Sequence, residues 1–283
     1  MIYLRLTKPR SVALLLVTAL AGMVMSGQGQ TPLSVLALTM LGGAMAAAGA
    51  NTLNCYLDRD LDRLMPRTRC RPIPSGLVRP WKALAFGLLL CLLSLAILAT
   101  GVNPLSALLA AAGIFYYVVV YTLWLKRATP LNVVVGGGAG VMPFLVGSAA
   151  ASGSVPLYSL WIGSILLLWT PPHFWSLALV RRDEYRDAGV PMLPAVRGEE
   201  ETRRQIGVYA LLLFLATLLA LPLGVVGGVF AAVPAILGGC FLLHAALLLA
   251  RGTQAEAQRL YRHSIIYLAL LFSSLILGRL VAA

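Results

Sequence analysis

The chain has 283 residues; 59% are hydrophobic, 11% are charged, and the formal net charge is +12. This balance excludes a disordered chain and argues against an ordinary soluble domain. The positive excess could suggest a nucleic-acid partner, but the charges fall between apolar runs without any RNA-binding or zinc-finger pattern, so no nucleic acid is expected.

Apolar runs of about 18 to 24 residues recur along the chain, the length a bilayer core requires. The first, Ser11–Ser26, follows the basic segment MIYLRLTKPR. That arrangement is like a signal peptide, yet no clear small-x-small cleavage site precedes a hydrophilic domain, so it reads as a membrane helix. Eight more follow: Leu33–Tyr56, Lys82–Thr100, Pro104–Trp124, Leu131–Ala150, Leu157–Val180, Gln205–Pro222, Val226–Ala250 and Tyr261–Val281. The expectation is one all-α transmembrane domain over residues 1–283, a polytopic membrane protein of nine helices.

Nine spans segregate the charge. The N-terminus and the loops 57–82, 125–130, 181–204 and 251–262 share one side and hold 21 of the 22 Lys and Arg residues; only Arg279 lies elsewhere. All ten acidic residues fall on that same side. The opposite loops, SGQGQTP, TGVNP, ASGSVP and the turn near Pro222–Gly228, are uncharged. The positive-inside rule then predicts a multi-pass protein of the cell (inner) membrane, with the N-terminus cytoplasmic and the C-terminus outside.

The most informative stretch is Asn51–Gly76, NTLNCYLDRDLDRLMPRTRCRPIPSG. Asn54, Asp58 and Asp62 recur every four residues, and each helical step of four turns about 400° and rises about 6 Å, so they form a stripe on one face. Two carboxylates so spaced repel by about a few tenths of a kcal/mol. Arg59 offsets Asp62 in part. A stripe of like charge at a membrane-helix end invites a divalent cation with oxygen ligands. A second acidic cluster, RRDEYRDAGVPMLP (Arg181–Pro194), follows the sixth span, and Asp183 and Asp187 are again four apart. Two such pairs on one face could hold Mg²⁺ through few carboxylates plus substrate phosphate oxygens. Solvated juxtamembrane charge is the bland alternative.

Arg59, Arg63, Arg67, Arg69 and Arg71 crowd the first cluster, and Lys126 and Arg127 sit in another inner loop. Several of them serve topology; the functional role is phosphate binding, since guanidinium forks match phosphate oxygens in pairs. Metal, arginines and a membrane cavity together suggest a lipid diphosphate. TPPHFW (Thr170–Trp175) puts two prolines inside the sixth span, where the helix should kink or break. His173 beside them is an intramembrane functional candidate, as proton acceptor or porphyrin contact, with a structural role the alternative. His244 and His263 have no motif around them. GGGAG (Gly136–Gly140) lacks the Lys-Ser/Thr ending of a phosphate loop and reads as close helix packing. Tyr121 and Lys126 flank the inner end of the fourth span. Cys55, Cys70, Cys91 and Cys240 form no CxxC and read as free thiols.

The Asn-xxx-Asp-xxx-Asp of Asn54, Asp58 and Asp62, with a second acidic motif after the sixth span, resembles the UbiA-type intramembrane prenyltransferases. Within that group, NCYLDRDLDRLMPRTRCRP, YTLWLKR, PPHFW and DEYRDAGVPMLP are similar to the haem O synthases, also called protoheme IX farnesyltransferases. The resemblance implies nine helices around a central cavity open to the cytoplasmic side, with Mg²⁺ as cofactor and farnesyl diphosphate, haem b and the lipid bilayer as partners. It implies farnesyl transfer to a haem b vinyl group, giving haem O. The product is used directly in terminal oxidases or converted to haem A, so a haem A synthase or a terminal oxidase stands as a candidate physical partner.

Carried over, Asn54, Asp58 and Asp62 match the metal–diphosphate motif, and Asp183 and Asp187 have the spacing of the second, with Glu184 as a substitute ligand. The metal set is then Asp58, Asp62, Asp183 and Asp187. Asn54, Asp58, Asp62 and His173 are the catalytic candidates. Arg63, Arg67, Arg71, Tyr121, Lys126 and Tyr185 are the substrate-binding candidates. The rival within this class is a prenyltransferase acting on a quinone precursor. The rival from another class is a transporter, which usually gathers its binding groups near the bilayer midplane rather than at one surface.

Overall fold

Proline sets where the long helices begin. The computed structural model describes residues 2–27, 30–219 and 232–282, and among these all regular structure is helical. Helix α1 (Pro9–Gly27) starts on proline, and α2 (Leu33–Leu57) directly follows Pro32. Helices α3 (Pro80–Gly101) and α4 (Pro104–Ala128) again start on proline, whose missing N–H is unpaired in a first turn anyway. Asn103 caps α4 by accepting from the Ser106 amide at 2.8 Å. Then come α5 (Asn132–Ser152), α6 (Leu157–Val180, after Pro156), α7 (Gly198–Leu218), α8 (Ala232–Arg251) and α9 (Gln254–Ala282).

Eight of these, all but α7, are long and apolar enough to cross a membrane. Helix α7 occupies the seventh expected span, but its first two turns read GEEETRR and dilute its hydropathy. The end of that expected span, the start of the eighth and the turn near Pro222–Gly228 lie outside the described residues. The chain is therefore an all-α polytopic membrane protein with eight such helices among its described residues.

Chain neighbours pack side by side: α1 against α2, α2 along α3, α3 against α4, and α6 through α9 in turn, with α9 returning to α1. Helix α5 packs on α1, α4 and α6. Its crossing with α1 needs glycine: a Cβ at Gly147 would sit 1.9 Å from the Ala19 carbonyl oxygen, and one at Gly22 would sit 2.2 Å from that of Phe144. Buried hydroxyls tie the same corner, with Ser148 Oγ 2.7 Å from Ser26 Oγ and 2.8 Å from Ser159 Oγ. Leucines at positions 88, 89, 92 and 93 of α3 remain exposed, as a lipid-facing surface requires.

Two local expectations are corrected. Helix α6 neither breaks nor ends at Pro171 and Pro172; it runs unbroken from Leu157 to Val180. Buried packing on both sides holds it, and Thr170 Oγ1 donates to Leu166 O at 2.8 Å. The inner half of α4, Tyr116–Leu125, is wound as a π-helix instead of an α-helix. Its backbone bonds reach five residues back, as from the Lys126 amide to Tyr121 O, and the Thr122 hydroxyl donates alongside to Tyr117 O at 2.8 Å.

Candidate active site

Asn54, Asp58 and Asp62 form the expected stripe although the helix bends between them. Helix α2 ends at Leu57, and a short helix, Arg59–Leu64, starts beyond Asp58. The Asp58 amide still donates to Asn54 O at 2.9 Å and the Asp62 amide to Asp58 O at 2.8 Å, so the four-residue register crosses the junction. All three side chains are buried.

Their repulsion is relieved by cations from elsewhere in the chain. Lys126 Nζ lies 2.5 Å from Asp58 Oδ2, delivered by the π-wound end of α4. Arg71 Nη1 donates to both Asp62 oxygens, at 2.9 and 2.8 Å. Burial lowers the Arg71 guanidinium's proton affinity, but Asp62 outweighs it and the net shift is upward. Asn54 Nδ2 donates to Asp58 Oδ2 at 2.9 Å and to Thr122 Oγ1 at 3.0 Å. Asp58 Oδ1 is left buried with no hydrogen-bond partner. An orphaned carboxylate oxygen at such a site calls for a cation or a ligand donor.

Sequence reasoning missed Lys8 and Asn51. Lys8 Nζ donates to Asn54 Oδ1 at 2.6 Å, from a residue held at φ 53°, in the left-handed region. Burial pulls its proton affinity below the ordinary lysine value, against Asp58 and Asp62, which raise it. Asn51 Nδ2 donates to Thr7 O at 3.0 Å and so pins the segment that carries Lys8. Asn51 was findable as an intramembrane polar residue one turn before Asn54. Lys8 gives no linear signal beyond its basic segment.

The other candidates are spread. Arg63 and Arg67 are exposed, while Tyr121, Lys126 and Tyr185 are half-buried. Tyr185 packs on the core that includes Met65; burial raises its phenol's proton affinity against the pull of Arg67 and Arg181, so it stays protonated. Asp183 and Asp187 are exposed by 63% and 71% and pair with arginines of their own short helix, Arg182–Asp187. Glu184 takes Arg181 at 2.7 Å. Among the described residues no three His, Cys, Asp or Glu side chains gather as a metal cluster, so the two acidic motifs are not brought into one cage.

Arg127 forks onto Asp60 at 2.6 and 2.7 Å and holds its carboxyl down to about 2. The folded value lies below the unfolded value of about 3.9, so the pair's contribution is whole above that pH and is lost as pH falls through about 2. Both side chains are well exposed, so Asp60→Asn should cost no more than about 1 kcal/mol near neutrality. Thermal unfolding in detergent should show that gap shrinking below pH 4 (about the unfolded carboxylate value).

Beyond the stripe lies a cavity of about 390 Å³. Lys8, Asn51 and Tyr121 stand where it meets the polar end, and its walls are otherwise mostly apolar and small. The GGGAG run both packs and makes room: Gly136 lies against the Tyr121 ring, Gly137 against Thr170 and Gly138 against Tyr116, while a Cβ at Gly140 would meet nothing within 4 Å. His173 reaches the wall from α6, with Nδ1 2.7 Å from Ser264 Oγ. His244 and His263 meet at a tilt between α8 and α9, with ring centroids 4.7 Å apart, away from this cavity's lining. All four cysteines are free.

Residues 15–274 match the model of the UbiA prenyltransferase family. The chain is 48% identical over 281 residues to the protoheme IX farnesyltransferase of Roseiflexus castenholzii, covering 99% of itself and 52% of that protein. It is 48% identical to that of Gloeobacter violaceus, covering 95% of itself and 89% of that protein. It thus spans about half the length of the Roseiflexus relatives it matches. Among solved structures, a digeranylgeranylglyceryl phosphate synthase superposes with a TM-score of 0.83 at 19% identity, covering 98% of this chain and 97% of the other. A UbiA homologue from Archaeoglobus fulgidus, bound to DMAPP and Mg²⁺, superposes with a TM-score of 0.75 at 19% identity, covering 97% and 99%.

Proposed function

Because the chain belongs to the UbiA prenyltransferase family, we propose that it transfers a farnesyl group from farnesyl diphosphate to the vinyl group of haem b, giving haem O. The names of its curated relatives support this acceptor and donor. The carrying observation is a buried acidic stripe with one orphaned carboxylate oxygen, linked through Lys8, which donates to Asn54, to an apolar cavity of about 390 Å³ that Lys8 lines.

Mg²⁺ fits the donor set. Oxygen ligands suit it, and it is commonly held by one or two carboxylates plus substrate phosphate. Asp58 and Asp62 would hold it with Asn54; for Asp183 and Asp187 to complete the set, their short helix, Arg182–Asp187, would have to release its arginines and close on the stripe, since the two motifs form no single cage among the described residues. When bound, the ion supplies positive charge against the diphosphate as it leaves. Lys8, Lys126 and Arg71 each stand at the stripe with donors that a diphosphate can accept. Arg63 and Arg67 approach from the exposed side, and Tyr185 donates from its protonated phenol. The cavity wall takes the lipid tail and keeps water from the allylic carbon. Tyr121 borders that carbon's path, and His173 serves the acceptor.

The finer architecture is part of the same proposal: one domain over residues 1–283, nine spans with α7 among them, a cytoplasmic N-terminus, an outer C-terminus and a cavity open to the cytoplasmic side. A terminal oxidase or a haem A synthase would take the product.

Gly140→Leu should leave the fold intact, because its Cβ meets open space. The added side chain should shift preference from the C15 donor toward a C10 donor, read as a ratio of kcat/KM values. The function itself is tested by offering the purified chain farnesyl diphosphate and Mg²⁺ with haem b and 4-hydroxybenzoate together. Mass spectrometry should find farnesylated haem; prenylated hydroxybenzoate alone would reject haem as acceptor.

A further inference from the structure

His173 is held in one tautomer by a neighbour on another helix. Ser264 Oγ lies 2.6 Å from Tyr261 O, a carbonyl that can only accept, so the single hydroxyl proton is committed there. The 2.7 Å contact between Ser264 Oγ and His173 Nδ1 must then be donated by the imidazole. His173 therefore carries a proton on Nδ1, so in the neutral ring Nε2 keeps its lone pair. The ring's orientation is fixed as well. It stacks on Trp169 with centroids 4.3 Å apart and on Tyr261 at 5.0 Å, and Phe174 meets it edge-on at 5.1 Å. Trp169 Nε1 donates to Ser264 O at 2.9 Å, which locks α6 to α9 at the same level. No described residue hydrogen-bonds Nε2, and His173 lines the cavity.

A neutral imidazole whose Nδ1–H is donated to a fixed acceptor, and whose Nε2 lone pair is free, is the arrangement by which histidine binds metal. Resting on the haem reading of the site, we propose that His173 Nε2 is the axial ligand to the iron of the acceptor haem, and that Ser264 is the positioning residue that sets its tautomer. The step is one coordinate bond from the Nε2 lone pair to iron; no proton or electron moves. The bond fixes the haem at the cavity wall between α6 and α9. The aromatic side chains that line the cavity beside it, Trp169 and Phe174, set how a porphyrin edge can approach.

The test is spectroscopic and independent of turnover. Haem b is titrated into the purified full chain in detergent, without farnesyl diphosphate. The wild type should give a histidine-ligated Soret band and, when ferrous, an iron–histidine stretch by resonance Raman. His173→Ala should lose both, and external imidazole should restore the band. Ser264→Ala should weaken haem binding by about 10- to 100-fold and shift the stretch, while Ser264→Thr, which keeps the hydroxyl, should restore both. A wild type that binds and farnesylates haem without an iron–histidine stretch overturns the ligation, as does an unchanged spectrum in His173→Ala. A wild type that neither binds nor farnesylates haem overturns the acceptor reading instead. If the His173 variant does not fold, the wild-type Raman band decides.

Discussion

Asp58→Asn should lower farnesyl transfer by about 10²- to 10³-fold while the chain still inserts and purifies as a folded species. Asp58 is 1% exposed and keeps one oxygen without a partner, while the other takes Lys126 and Asn54. The substitution preserves shape and removes the charge that the stripe contributes to a metal–diphosphate complex. The loss should fall mainly on kcat/KM for the diphosphate donor, and raised Mg²⁺ should recover only part of it. Lys126→Met is the complementary change. It leaves a buried carboxylate without its cation, so it should lower the unfolding temperature more than Asp58→Asn does. Retention of wild-type activity in Asp58→Asn would remove this residue from the metal set.

Arg71→Ala should cost about 3 kcal/mol of stability, the lower end of the range for breaking a buried ion pair. Asp62 is almost wholly buried and Arg71 is a quarter exposed, and the two are joined by a fork to both carboxylate oxygens. Truncation leaves Asp62 charged and unpaired, and also removes a guanidinium from the diphosphate side. Arg71→Lys keeps a charge but not the fork, and should recover part of the stability and less of the activity. Arg63→Ala, at an exposed position, should change stability by no more than about 0.5 kcal/mol. Thermal unfolding in detergent and donor KM separate the two roles. Equal effects at Arg63 and Arg71 would contradict the pairing.

What was legible in the chain follows from local periodicity. Asn54, Asp58 and Asp62 could be placed on one face because a repeat of four survives even the bend at Asp58. Eight of the expected membrane spans could be placed because bilayer thickness fixes their length. Charge relief was not legible. Lys126 is 68 residues from Asp58, and Lys8 is 46 from Asn54, so only the packing of α1, α2 and α4 brings them together. The Asp183–Asp187 pair shows the limit of spacing as a signal. It has the same interval as Asp58–Asp62, but Arg186 lies at i+3 of Asp183 and takes it on an exposed surface. The proline pair in α6 was expected to kink or break the helix, and tertiary packing carries it through without a break. Ser264 carried no signal at all: one serine in an apolar run gains meaning only from the imidazole opposite it.

On our proposal, the buried end of α2 grips diphosphate through a divalent cation. Farnesyl diphosphate is titrated calorimetrically into the full chain with and without Mg²⁺. Wild type should bind tightly only when Mg²⁺ is present, and Asp58→Asn should lose that Mg²⁺ dependence. Equal binding with and without the ion, or an Asp58→Asn variant indistinguishable from wild type, would contradict it.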